Sequence, residues 1–166
     1  MKAPLLILVL VVFFSACSPS PTPKTIYIVR HAEKMLVEDS DPNLSQAGKI
    51  RATKLSQILA DKEIKHIFAT DYKRARQTAQ TTADLAGIQI ESYDAKDQEA
   101  FAKKLEQLEG NILVVGHTDT APRLVNILSK QEGAYPDLED LEYENIYIVD
   151  LEKNDVGVQR KTFKDY

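Results

Sequence analysis

Two stretches of the chain end in residue types suited to group transfer. Thr25–Lys34 is a β-branched and aromatic run that stops at Arg30, His31 and Glu33, and Asn111–His117 is an unbroken apolar run that stops at His117. Each reads as a buried strand with chemistry at its tip. On a regular strand Arg30 and His31 point to opposite faces, so both serve one site only where the backbone leaves the sheet. That is the carboxyl edge, where open α/β sheets bind ligands. Arg74 falls in the first turn of a helix that starts near Tyr72, close to the same edge. Arg76, two residues on, lies about 200° further round a helix of 3.6 residues per turn, so the two cannot face one pocket. Arg74 is the candidate because its helix face also carries Thr78, and Arg76 is assigned to solvent. Arg30, His31, Arg74 and His117 together form a constellation for phosphate: guanidiniums grip phosphoryl oxygens in bidentate fashion. One neutral histidine can attack phosphorus through a ring nitrogen, and the other can donate to a phosphoryl oxygen as charge grows.

Elements that position these tips alternate along the chain. Asp41-Pro42-Asn43 signals a turn, and Ser45 is the expected N-cap of a helix with Ala47, Ile50, Leu55, Ile58 and Leu59 on its buried face. Arg51 on that helix is read as solvated, with a place beside the anion site as the alternative. Ile64–Ala69 is a strand in which His66 is structural, and Thr70-Asp71 is expected to cap the next helix, which runs to Ala86 with Gly87 as its C-terminal cap. Ile88–Tyr93 is a shorter strand. Beyond the loop Asp94–Asp97 comes a helix with Phe101, Leu105 and Leu108 on one face and Gly110 as its stop. Thr118–Pro122 opens another helix, with Leu124, Val125 and Leu128 buried. Gln131–Glu144 reads as an acidic exposed loop, and Ile146–Leu151 and Val156–Arg160 as a hairpin turning at Lys153-Asn154-Asp155. The expected fold is three-layer α/β, a mainly parallel sheet with helices on both faces and an antiparallel edge, in one domain over residues 25–166.

The remaining segments set expectations about place and partners. Lys2 precedes the apolar run Leu5–Phe14 and then Ser15-Ala16-Cys17, the order of a secretory signal, assigned to residues 1–16. The run is about half of the ~20 apolar residues that a membrane span takes. Phe14-Ser15-Ala16-Cys17 resembles the lipobox of bacterial lipoproteins, and Cys17 is the one cysteine of the chain, so it has no intramolecular disulfide partner. Ser18–Pro23 alternates proline with hydroxyl residues, and residues 17–24 are read as a lipidated start and an extended tether. The expected location is the cell envelope, reached by secretion across the inner membrane and held by a lipid anchor. Of the chain's 166 residues, 43% are hydrophobic and 28% charged, with a formal net charge of -4. Such a balance excludes a basic nucleic-acid footprint, and any anion must be drawn by a local cluster.

With these pieces in order, the chain resembles the histidine phosphatase superfamily, which takes in phosphoglycerate mutases, small phosphohistidine phosphatases and acid phosphatases. Val29–Glu33 is similar to the family's Arg-His-Gly-Glu signature with Ala32 in place of glycine. Leu44–Gly48, Arg74–Ala79 and Val114–His117 are similar to its later motifs. The resemblance implies a phosphoglycerate mutase-like fold, His31 as phosphoacceptor, and Arg30, Arg74 and His117 as the phosphate pocket. The family's proton-donating carboxylate has no unambiguous counterpart. Glu33, Asp94, Asp97 and Asp119 are the candidates. Asp94 is preferred because it lies at the tip of the third strand with no helix start to lower its pKa, and Asp119 is next. The expected activity is hydrolysis of a phosphomonoester or phosphoprotein through a phosphohistidine intermediate in an open pocket, with no metal or cofactor required. The alternatives are a phosphomutase and a lipoprotein that binds phosphate-bearing ligands without turning them over.

Overall fold

The first strand faces two ways. Ile26 and Ile28 pack into one apolar cluster and Tyr27 and Val29 into another, on opposite sides of the sheet. Burial on both faces explains why the strand is apolar without alternation. The computed structural model describes residues 23–152 and 155–166. In chain order these form β1 (Lys24–Arg30), α1 (Gln46–Leu59), β2 (Ile64–Ala69), α2 (Lys73–Ala86), β3 (Ile90–Ser92), α3 (Gln98–Gln107), β4 (Asn111–Gly116), α4 (Thr120–Ser129), β5 (Asn145–Leu151) and β6 (Val156–Thr162), with a last 3-10 turn at Phe163–Asp165. The proposed signal at residues 1–16, Cys17, the tether up to Thr22, and Lys153 and Asn154 of the hairpin turn lie outside the described residues.

The sheet has six strands in the order β3-β2-β4-β1-β5-β6. β1, β2, β3 and β4 pair in parallel, and β5 and β6 close the edge antiparallel. Helices α1 and α2 cover one face, where Leu55, Ile58, Ala75 and Ala79 meet Ile67 and Val115. On the other face α3 and α4 bring Phe101, Leu105, Leu124 and Leu128 against Ile112 and Val114. Each fully buried side chain of this size is worth about 1.5–3 kcal/mol. The expected three-layer α/β architecture with an antiparallel edge is the fold observed.

Register does the positioning. Pairing of Arg30 with Gly116 makes His31 and His117 the next residues beyond the paired strand tips. The His31 N–H donates to the Gly116 carbonyl at 2.9 Å, which carries the ladder one step past β1. Gly116 is needed for closeness: a Cβ there would sit 2.9 Å from Thr120 Oγ1 and 3.0 Å from the Tyr93 hydroxyl.

Several local expectations are corrected. Ala47 and Ile50 of α1 are exposed, and the buried stripe is Gly48, Ala52, Leu55 and Leu59. The helix is rolled because its first turn docks on the backbone of Glu33, whose carbonyl accepts from Ser45 N at 2.8 Å. Thr70 and Asp71 do not cap α2; its N-cap is Tyr72, without a side-chain bond, and Thr70 turns to His117 instead. Gln131–Glu144 is irregular as expected but not wholly exposed. Leu138 is buried, and its N–H donates to the Thr118 carbonyl at 2.9 Å. The third strand is shorter than the Ile88–Tyr93 run. Ser45 and Gly87 cap α1 and α2 as read, with Gly87 at φ 67°.

The α1 docking yields a test. A Cβ at position 48 would clash with the Glu33 carbonyl oxygen, a backbone atom that cannot swing aside. Gly48→Ala should therefore lower stability by about 1–3 kcal/mol despite alanine's higher helix propensity. Denaturant unfolding of the two proteins measures it, and an equal or stabilised variant would contradict this packing.

Candidate active site

At the tip of β1 the backbone leaves the sheet, and Arg30 and His31 both become buried, at 7% and 4% exposure. The His31 Nδ1 lies 2.8 Å from the Ala32 carbonyl. A carbonyl only accepts, so Nδ1 carries the proton and Nε2 keeps its lone pair. Ala32 is itself held, because its N–H donates to Thr78 Oγ1 at 2.9 Å, and that hydroxyl donates to the Arg74 carbonyl at 2.7 Å. Thr78, placed on the Arg74 face by helical spacing, thus ties α2 to the loop that follows His31.

His117 stands edge-on to His31 with 5.3 Å between ring centroids. Its Nε2 is 2.8 Å from Thr70 Oγ1, a bond that fixes the ring, and its N–H donates to Thr120 Oγ1 at 2.8 Å. Arg30 donates through NH1 to the carbonyls of Glu139, Asp140 and Glu142 at 2.9–3.3 Å. Its Nε is buried with no partner. Arg74 has the same pattern: NH1 lies 3.7 Å from Asp41 Oδ1, and Nε is buried without a partner. Unpaired buried donors are costly, so two guanidiniums left this way suit an anion that completes them. Sequence reasoning missed Thr70 as a histidine partner, the carbonyls of residues 139–142, and Tyr72 and Tyr143. Thr70 could have been found, since a hydroxyl one residue past a strand tip is placed to reach a neighbouring tip.

Electrostatics follow from this crowding. Burial, followed by the coupling to the His117 ring and the cations Arg74 and Arg30, pushes His31 down to about 3, against a hydrogen bond to Ala32 that raises it. Burial and Arg74 push His117 down to about 4, opposed by Asp119. Both rings are neutral near pH 7, the state a nitrogen nucleophile needs.

Residues 26–96 match the model of the histidine phosphatase superfamily (branch 1). Over that stretch the chain is similar to the histidine phosphatase superfamily. Relatives in sequence include a protein of Salmonella arizonae named probable phosphoglycerate mutase GpmB, 28% identical over 123 residues, covering 70% of this chain and 56% of that protein. A protein of the same name from Enterobacter sp. is 26% identical, with the same coverage. The chain spans just over half the length of these relatives. In structure it is similar to the protein histidine phosphatase SixA complexed with tungstate, with a TM-score of 0.70 at 18% identity, over 85% of this chain and 98% of that one. It is also similar to mycobacterial glucosyl-3-phosphoglycerate phosphatase, with a TM-score of 0.61 at 12% identity, over 85% and 98%.

The four carboxylates considered for proton donation are placed very differently. Glu33 takes both Nε and NH2 of Arg51, the closest contact being 2.6 Å. Burial raises its carboxyl, but the Arg51 hydrogen bonds, a backbone N–H and the charges of Arg51 and Arg30 together outweigh this and leave it below the usual range. Arg51 is therefore neither solvated nor at the anion site. Asp97 caps α3 through Ala100 N at 3.1 Å. Asp94 is exposed, its carboxylate accepting from Lys96 N at 2.9 Å. Asp119, at the start of α4, makes no capping bond and lies close enough to His117 to oppose the fall of its pKa. Among the described residues no cluster of three or more His, Cys, Asp or Glu is arranged to hold a metal ion.

The depressed histidines predict how stability varies with pH. Between their ordinary value near 6.5 and the native values of about 3 and 4, the unfolded chain binds protons that the folded chain refuses. Stability is then full above pH ~6.5 and falls as pH drops, at about 1.4 kcal/mol per pH unit for each excess proton. A Tm series from pH 7 to 4 should slope down, and the double variant His31→Ala/His117→Ala should flatten it. Equal slopes in both proteins would contradict the burial of neutral rings.

Proposed function

We propose that this protein is a phosphohydrolase that removes phosphate from a phosphomonoester or phosphoprotein through a phosphohistidine at His31. One observation carries the reading: Nδ1–H of His31 is committed to the Ala32 carbonyl, which leaves the Nε2 lone pair free beside His117 and two incompletely paired guanidiniums. Nε2 attacks phosphorus, a P–N bond forms, and the P–O bond to the leaving group breaks, its oxygen taking the electron pair and a proton. Water then attacks the phosphoryl group and gives a proton back to the donor carboxylate, the P–N bond breaks, inorganic phosphate leaves, and His31 regains its lone pair. Arg30, Arg74 and His117 hold the phosphoryl oxygens as charge shifts between the attacking and leaving atoms. The neighbourhood of Asp119 to His117 and its uncommitted carboxylate support it as the proton source; Asp94 is the other donor under test.

A phosphomutase is the second reading, and the name of the mutase-type relatives is the observation that favours it. The two differ in product. With a phosphoglycerate as substrate, phosphorus NMR should show inorganic phosphate and no isomerised ester for a hydrolase, and the isomerised ester for a mutase.

Kinetics test the mechanism. His31→Ala should reduce turnover of p-nitrophenyl phosphate by at least about a thousandfold, and full activity in that variant would overturn the reading. p-Nitrophenolate leaves without help, whereas an alkoxide needs a proton. Loss on an alkyl phosphate alone should therefore mark the acid: Asp119→Asn should lose about a hundredfold there and little on the aryl ester. The same pattern in Asp94→Asn would move the role to Asp94.

For location we propose a lipid anchor at Cys17, supported by the apolar run before it and the proline-rich stretch after it. Cys17→Ser should shift the protein out of the membrane fraction with an altered mature mass. Unchanged mass and fractionation would refute the anchor.

A further inference from the structure

Each arginine–histidine couple of the site shares one tyrosine. The Arg30 guanidinium lies 4.0 Å from the centroid of the Tyr143 ring, and the same ring is 6.1 Å from that of His31. On the other side the Arg74 guanidinium lies 4.2 Å from the Tyr72 centroid, and the Tyr72 ring meets His117 edge-on at 5.1 Å. The two rings come from unrelated places, Tyr72 from the start of α2 and Tyr143 from the loop before β5. Each makes the same pair of contacts, a guanidinium and an imidazole.

Both arginines face one physical problem. A guanidinium that is to grip phosphate must be held still before phosphate arrives, yet a tight carboxylate partner would neutralise it and compete with the ligand. Carbonyl dipoles and the face of an aromatic ring hold a cation without neutralising it. Arg30 has three carbonyls on NH1 and the Tyr143 face; Arg74 has the Tyr72 face and only a 3.7 Å approach to Asp41. The contrast lies within the same molecule. Arg51 is locked to Glu33 by three hydrogen bonds and has no share in the site.

Resting on the phosphate chemistry proposed above, we infer that Tyr72 and Tyr143 are positioning residues, whose rings hold Arg74 and Arg30 in place for a phosphoryl group where no carboxylate among the described residues makes a hydrogen bond to either guanidinium. Tyr72 is 46% exposed and Tyr143 half-buried, so neither ring is a core residue whose loss would empty the interior. The ring, and not the hydroxyl, is the working part.

The experiment measures binding of inorganic phosphate to the folded protein, with the KM and kcat for p-nitrophenyl phosphate alongside, in Tyr72→Phe, Tyr72→Leu, Tyr143→Phe and Tyr143→Leu. Leucine should weaken phosphate binding by about tenfold, within the range of a partly desolvated cation–π contact. Phenylalanine should restore it to within about twofold of the parent. Circular dichroism and Tm certify the fold, and if Tyr143→Leu does not fold, the exposed Tyr72 pair carries the test. Leucine variants that bind phosphate as the parent does would overturn the inference, as would phenylalanine variants as weak as leucine. A parent that binds phosphate but hydrolyses no ester, with the leucine loss still present, would sink the phosphohydrolase reading and leave this one standing.

Discussion

Two buried or half-buried guanidiniums stand beside two buried imidazoles, and most of what is distinctive here follows from holding that much potential positive charge in one place. Like charges in a region of low dielectric repel strongly. The protein answers by keeping both histidines neutral, with values pushed to about 3 and 4. It supports Arg30 with carbonyl dipoles. The two buried Nε atoms without partners are what such a site would offer to the phosphoryl group proposed above.

The sheet supplies the rigidity this requires. β1 and β4 are adjacent, parallel and in a register that makes His31 and His117 the first residues past their tips. α2 adds Arg74 from a turn beyond β2, and Thr78 of that helix clasps the loop after His31. The loop at 138–143 has no helix or strand. Its backbone is nonetheless fastened at one end to Thr118, next to His117, and along its length to Arg30. An element read from composition as solvent-facing is thereby a wall of the site.

How much of this was legible follows from which forces act locally. Strand tips, helix caps at Ser45 and Gly87, and the choice of Arg74 over Arg76 came from periodicity, and periodicity reports burial faithfully along β1, β4 and α4. Arg76, by contrast with Arg74, lies on the surface with Ser92 and Asp71. What the sequence could not show was governed by contacts between distant segments. Ile50 has the spacing of a core residue, but the docking of Gly48 on Glu33 rolls α1 and leaves Ile50 63% exposed. Glu33 is a candidate acid by its place beside His31, but the residue that takes its carboxylate is Arg51, on α1. Tyr143 sits in an acidic stretch whose composition says loop, and only the fold brings it to Arg30.

The central claim is that His31 carries the phosphoryl group, and trapping it is the most direct test. Rapid acid-free quenching of the protein during turnover of p-nitrophenyl phosphate, followed by peptide mapping by mass spectrometry, should find one phosphoryl group on the peptide containing His31. It should be labile to acid and stable to base, and absent from His31→Ala. A phosphoryl group found on another residue, or turnover by His31→Ala at the parent's rate, would contradict it.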